Sequence, residues 1–303
     1  MRSMERTPVS ELAATHTPQI HSLLSDLWML TKPRLSMLVI ITAGGGYWLA
    51  GSADIVGGLL AVGGTTLVVA AANVLNNYLE RESDKDMTRT SVRPLPTGRL
   101  APSIALLFGM LLTAVSIPLL TFGTTPLAGL LAAIALVLYV LVYTPLKRVS
   151  SLNTLVGAIP GALPPLIGWT AATGQITAGG LLLFALLFLW QIPHSLAICI
   201  YRQGEYDKAG LVVLPTEHGL PVTRRQMFFY TFALLPLPLL MMHAGVVGAP
   251  TLVIGTGLGV WWLSRAWQGL MNNGGAAWAR KFFLASLVYL SGMFAVMTVD
   301  VWI

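Results

Sequence analysis

Apolar residues along this chain come in long runs broken by short polar connections, and each run approaches the roughly 20 residues that a helix needs to cross a bilayer. Nine runs are expected to span, over residues 36–52, 55–78, 102–121, 125–143, 151–171, 178–200, 226–243, 248–266 and 281–301. The pattern predicts an all-α polytopic membrane protein, a bundle of nine transmembrane helices. A polar N-terminal arm over residues 1–30 is expected to precede one transmembrane domain over 31–303. The fifth run, GAIPGALPPLIGW, carries Pro160, Pro164 and Pro165 and is expected to be broken. Proline at membrane depth frees carbonyls that lipid cannot satisfy, so this segment belongs inside the bundle or along a cavity. A packing kink is the alternative.

Composition narrows the class. With 55% hydrophobic and 10% charged residues in 303, there is no charged surface left for a separate soluble domain. The arm holds Glu5, Glu11 and Asp26 without a long apolar core, which argues against a cleaved signal or an Arg-rich transit peptide. All 18 Lys and Arg residues fall in the N-terminal segment before run one or in and beside the connections after runs two, four, six and eight. The positive-inside bias then places the N-terminus and these connections in the cytoplasm and the C-terminus outside, in a bacterial cytoplasmic membrane. The net charge of +6 therefore describes one face, with the lipid bilayer as its first partner and no sign of nucleic acid. Cys199 is the single cysteine, which excludes an intramolecular disulfide and a cysteine-rich metal site.

The charged connections recur. TKPRL at 31–35 precedes run one as YTPLKRVS at 143–150 precedes run five, and mixed acidic and basic segments follow runs two and six. Four runs separate the members of each pair, so both face the same side. This predicts two four-helix halves in parallel repeat plus a ninth helix, with two charged connections at one mouth.

The first of these connections carries chemistry. Asn76, Glu80 and Asp84 follow i, i+4, i+8 spacing, with Asn73 a turn earlier; if run two continues as helix to about Asp84, the two carboxylates stand roughly 6 Å apart along one face. Oxygen ligands so placed suit Mg²⁺, which takes one or two carboxylates and fills its shell with water and phosphate. Basic residues follow at once, at Arg89, Arg93 and Arg99, after Arg81 and Lys85. A cation site beside an anion site is the pattern for a metal diphosphate. Neutralising a diphosphate lowers the barrier to losing it from an allylic carbon, and an apolar bundle would shelter the resulting cation. An ordinary mixed-charge loop is the bland alternative, weakened by asparagines within a membrane helix.

These residues resemble a known family. NNYLERESDKDMTRTSVRPL at 76–95 is similar to the asparagine and carboxylate motif of the intramembrane prenyltransferases of the UbiA superfamily, and its ending is similar to the branch that farnesylates protoheme IX, the haem O synthases. LTKPRL at 30–35, YTPLKRVSSLNTLVGAIPGALPPLIGW at 143–169, WQIPHSLAICIYRQGEYDKAGLVVLP at 190–215 and ARKFFLASLVYLSGMFAVMTVD at 279–300 resemble the same branch, in order. The resemblance implies an Mg²⁺-dependent nine-helix enzyme that moves farnesyl from farnesyl diphosphate to the vinyl group of haem b, with water added to give haem O. It also implies contact with haem A synthase or oxidase assembly machinery. The metal would rest on Asn76, Glu80 and Asp84, with Asn73 or Asn77 as a further holder, and the diphosphate on Arg89, Arg93, Lys147 and Arg148. Arg202, Glu205 and Tyr206 would form the second motif. Both motifs depart from the superfamily: Glu80 stands where aspartate is usual, and Glu205, Tyr206 and Asp207 stand where other branches have a second aspartate pair.

His194 is an ionisable group about two turns inside run six, a candidate haem ligand or proton carrier against the alternative of a packing histidine. His243 and Asp300, toward the opposite face, are expected to be structural, and Glu217 and His218 to lie solvated in a connection. The rival classes are a prenyltransferase acting on an aromatic or quinone precursor, a transporter, and a haem-binding chaperone without catalysis.

Overall fold

The computed structural model describes residues 22–300, and among these every regular element is helical. In chain order they are α1 (Leu23–Leu30), α2 (Pro33–Leu49), α3 (Ile55–Glu80), α4 (Pro102–Gly123), α5 (Pro126–Val137), α6 (Thr144–Leu146), α7 (Asn153–Thr173), α8 (Ala178–Tyr201), α9 (Gln203–Lys208), α10 (Leu214–Phe232), α11 (Leu237–His243), α12 (Ala249–Met271) and α13 (Ala276–Asp300). A wider π-helical turn, Leu138–Tyr143, joins α5 to α6. The expected arm lies outside the described residues as far as residue 21, and its last part is α1.

Among the described residues, seven segments are long and apolar enough to cross a membrane: α3, α4, α5 through α6, α7, α8, α10 through α11, and α13. The first expected run corresponds to α2, whose apolar part Ser36–Leu49 is shorter, and the eighth to α12, which is not among the seven. The seventh run is longer than expected: helix begins at Leu214, kinks at Gly219 with φ of 81°, and continues through α11.

The expectation of a broken fifth run is corrected. Helix α7 runs unbroken from Asn153 to Thr173 with all three prolines inside it. Three missing N–H donors weaken its ladder, and the bundle compensates by enclosing it: α7 is the most buried of the seven, as its prolines require. Gln191 of α8 donates to the Ala158 carbonyl at 2.6 Å. Helix α2 lies close on α7, because an added Cβ at Gly168 would stand 2.0 Å from the Ala43 carbonyl oxygen and one at Gly46 would meet that of Pro165. Two apolar cores flank α7. One gathers α3, α4 and α5; the other, with Trp190, Trp262, Tyr289 and Met293, gathers α8 and α10 to α13.

Helix starts follow local chemistry. Asp54 accepts from Val56 N at 3.0 Å to cap α3, and Thr125 accepts from Ala128 N at 3.2 Å to cap α5. At the far end of the bundle Asp300 accepts from Gly248 N at 2.7 Å and Thr251 N at 3.2 Å, which fits the structural role expected of it.

Candidate active site

The charged ends of α3, α6 and α8 meet at one end of the bundle. Three asparagines on the last turns of α3 organise it. Asn73 and Asn77 donate to the carbonyls of Thr31 at 3.2 Å and Leu30 at 3.0 Å, the orphan acceptors where α1 ends. The chain then turns through Lys32, whose φ is 53°, and Pro33 opens α2. This turn delivers the Lys32 ammonium to the Asn76 Oδ1 at 3.1 Å, while the Asn76 amide donates to Thr144 Oγ1 at 3.0 Å. Asn73 and Asn77 thus act as scaffold, and Asn76 faces the mouth.

The two carboxylates are presented differently from the expected single helix. Helix α3 stops at Glu80, because Arg81 donates back to the Tyr78 carbonyl at 2.8 Å and Ser83 to the Glu80 carbonyl at 3.0 Å. Asp84 follows in a 3-10 turn, Ser83–Asp86, and is buried. Thr90 donates to the Asp84 carbonyl at 2.8 Å and folds the loop back, so that Arg93 Nη1 meets both Asp84 Oδ2 at 2.7 Å and Asn77 Oδ1 at 3.0 Å. Glu80 Oε1 takes a hydrogen bond from Lys147 Nζ at 2.7 Å, and the same ammonium lies 4.5 Å from the centre of the Tyr143 ring. Two oxygens and two cations therefore face one another in pairs, each pair at 2.7 Å.

Lys32 stands among all four. Enclosure, followed by the charges of Arg93 and Lys147 and offset by Glu80 and Asp84, pushes its ammonium down to about 7. The sequence held this residue only as part of a basic stretch. Its one local signal is the Lys-Pro pair at a helix start, and its partners lie more than 40 positions away.

The opposite wall is stitched by backbone. Val212 N donates to the Lys147 carbonyl at 2.8 Å, and the Asn153 amide donates to the Val212 carbonyl at 2.7 Å. Glu217 is exposed, as expected, but it sits in the first turn of α10 and not in a loop, and it accepts from Ser151 N at 3.0 Å, which ties α10 to the connection before α7. Tyr206, on α9, lies within electrostatic range of Arg89 and Lys147, and burial raises its hydroxyl above the ordinary tyrosine value. Arg202 and Glu205 pair with each other at 3.3 Å and contact neither Glu80 nor Asp84. Arg89 and Arg148 are exposed at the rim. Arg99 turns away to Asp26 of α1 at 3.5 Å.

His194 belongs to another face. It lies between the rings of Trp190 at 4.5 Å and Phe283 at 4.7 Å, and its Nδ1 is 2.7 Å from Ser286 Oγ. The Ser286 hydroxyl donates its one hydrogen to the Phe283 carbonyl at 2.6 Å. Nδ1 must therefore carry the imidazole proton, which leaves Nε2 with a free lone pair. None of these contacts joins His194 to the carboxylates. An apolar groove of about 550 Å³ opens between α2 and α13, lined by Leu38, Gly44, Gly45, Trp48 and Phe294.

Helices packed around apolar cores, with carboxylates, an amide oxygen and cations gathered at one mouth, are the arrangement of an intramembrane enzyme. Residues 38–287 match the UbiA prenyltransferase family, and the chain belongs to it. The fold is shared with a solved digeranylgeranylglyceryl phosphate synthase, with TM-score 0.79 and 18% identity over 91% of this chain and 98% of that one. It is shared too with a UbiA homologue from Archaeoglobus fulgidus bound to GPP and Mg²⁺, with TM-score 0.66 and 15% identity over 90% and 99%. Within the family, the chain is 49% identical to the protoheme IX farnesyltransferase of Myxococcus xanthus, over 91% of this chain and 94% of that one. It is 52% identical to that of Sorangium cellulosum, over 79% and 86%.

Proposed function

We propose that the chain transfers farnesyl from farnesyl diphosphate to a vinyl group of haem b and, with water added, forms haem O. One observation carries this: a mouth of paired oxygens and cations at Glu80, Asp84, Lys147 and Arg93, in a chain 49% identical to a farnesyltransferase of protoheme IX. The donors of Asn76, Glu80 and Asp84 are all oxygen, which suits a hard cation such as Mg²⁺. Among the described residues no three or more His, Cys, Asp or Glu side chains gather as a metal cluster. Two carboxylates suffice where phosphate oxygens complete the shell, so metal and diphosphate arrive as one ligand. When bound, Mg²⁺ neutralises charge on the departing diphosphate.

Lys147 and Arg93 then leave their carboxylates for phosphate oxygens, while Lys32 holds Asn76 and faces the same charge. Arg89 and Arg148 close the rim, and Tyr206 offers a protonated hydroxyl beside Lys147. The bond between farnesyl C1 and the diphosphate oxygen breaks, and the oxygen keeps its electron pair. The vinyl π electrons bond to C1, and the cation left beside the porphyrin takes a water oxygen. His194 accepts the proton that this water loses, at the Nε2 that its link to Ser286 leaves bare.

In this reading α2 and α12 cross the membrane with the seven longer segments, making nine crossings in two four-helix halves and a last helix. The mouth is cytoplasmic and the C-terminus lies outside, as the placement of Lys and Arg favours. The test incubates purified protein with haem b, farnesyl diphosphate and Mg²⁺ and weighs the extracted haem. A gain of one farnesyl and one hydroxyl group is expected; unmodified haem with full binding would overturn the catalytic reading.

A further inference from the structure

Between Glu217 and Asp300 the sequence holds no Asp or Glu, yet it holds Arg224, Arg225, Arg265, Arg280 and Lys281. Asp300 is committed to the opposite end of the bundle, where it binds Gly248 N and Thr251 N. The five cations lie at the mouth end, and no ion pair among the described residues includes any of them. Arg224 is buried and occupied, donating to the Gly274 carbonyl and to Asn273. Arg265 and Lys281 are instead exposed and line one groove of about 620 Å³ between α12 and α13.

The groove has a built shape. Trp278 donates to the Arg265 carbonyl at 2.9 Å and lies so close to Gly269 and Gly274 that an added Cβ at either would collide with its ring. Trp261 lies under the Arg265 guanidinium, 5.9 Å from the ring centre. Trp278, in the first turn of α13, stands on the mouth side of Lys281, and Trp261 stands one turn deeper than Arg265 on α12, so tryptophan brackets the two cations as it does at the headgroup level. Beyond them the lining becomes apolar, with Leu284 and Val288 exposed along α13. A site with two cations in no ion pair held between tryptophans, and aliphatic side chains deeper along α13, matches the order of groups in an anionic phospholipid.

We propose that this groove binds one anionic phospholipid, its phosphate between Arg265 and Lys281 and an acyl chain along Leu284 and Val288. Positive charge on the groove and its continuity with the lipid-facing surface of α13 select this occupant. The site is separate from Glu80 and Asp84, so its failure leaves the catalytic proposal intact.

The test presents the full-length protein in detergent with equal amounts of dioleoyl phosphatidylglycerol and dioleoyl phosphatidylcholine and measures retained adducts by native mass spectrometry. Wild type should retain phosphatidylglycerol in preference. Removing each cation, as Arg265→Gln and Lys281→Gln, should weaken retention roughly fivefold. Arg280→Gln, a neighbouring cation outside the groove, should change nothing, and millimolar inorganic phosphate should not displace the lipid. Both single variants lie on exposed positions, and unchanged thermal unfolding will confirm their folds. Equal retention of the two lipids would overturn the site, as would an Arg280→Gln loss as large as that of Lys281→Gln, or displacement by phosphate alone.

Discussion

The pairing of Lys147 with Glu80 gives the sharpest test of the mouth, because a brace and a catalytic pair respond oppositely to double substitution. The two atoms stand 2.7 Å apart, with side chains 18% and 16% exposed. At an effective dielectric of about 20 their Coulomb attraction is about 6 kcal/mol, most of which desolvation cancels. Removing one partner of a fully buried pair costs about 3–5 kcal/mol; at this exposure roughly 2 kcal/mol is expected. Glu80→Gln and Lys147→Met should each lower thermal stability by that amount, and the double variant should regain most of it, since neither charge is then stranded.

Turnover should not follow stability. If Glu80 holds the metal and Lys147 takes the phosphate, each single change should lower kcat/KM by about 10²–10³-fold, the usual worth of one electrostatic group aimed at developing charge. The double variant should be no better than the worse single. Glu80→Gln should raise the Mg²⁺ needed for half activity, and Lys147→Met the KM for farnesyl diphosphate. Both constants come from mass-spectrometric product rates with one ligand varied at a time. A double variant restored to within about threefold of wild type would refute the assignment and leave the pair as a brace.

Three further outcomes are expected. Gly168→Val should place carbon 2.0 Å from the Ala43 carbonyl oxygen, where about 3.3 Å is the close limit; α2 and α7 must then part by roughly 1.3 Å, costing 1–3 kcal/mol or more in unfolding assays. His194→Ala should lower turnover by about 10²–10⁴-fold with an unchanged spectrum of bound haem, and a shifted haem spectrum would make the residue an iron ligand in place of a base. Lys32 gives a pH signature. The unfolded chain keeps that proton to the ordinary lysine value, whereas the folded protein loses it near 7, so the unfolded state binds more protons between these values. Stability of the unliganded protein should rise with pH across that window, and Lys32→Met should flatten the rise in melting curves.

How much of this was legible in the sequence depended on how far apart the interacting residues lie. Hydrophobic runs are local, and they gave the helical membrane class and most helix positions. The spacing of Asn76, Glu80 and Asp84 is also local and led to the mouth, but it implied one continuous helix. The side chains of Arg81 and Ser83 take the terminal carbonyls and end α3 at Glu80, a competition that periodicity does not register. Three prolines predicted a broken α7; burial on several sides let the helix continue instead. Arg93 was found because it follows the carboxylates within one loop, whereas Arg99 satisfied the same pattern and turned to Asp26. Lys32 shows the limit most clearly. It takes its place from Asn73 and Asn77 holding the end of α1, contacts that span more than 40 residues. The asparagines that signalled a metal site from sequence thus divide their work: one faces the mouth, and two bring to it the cation that spacing alone did not assign.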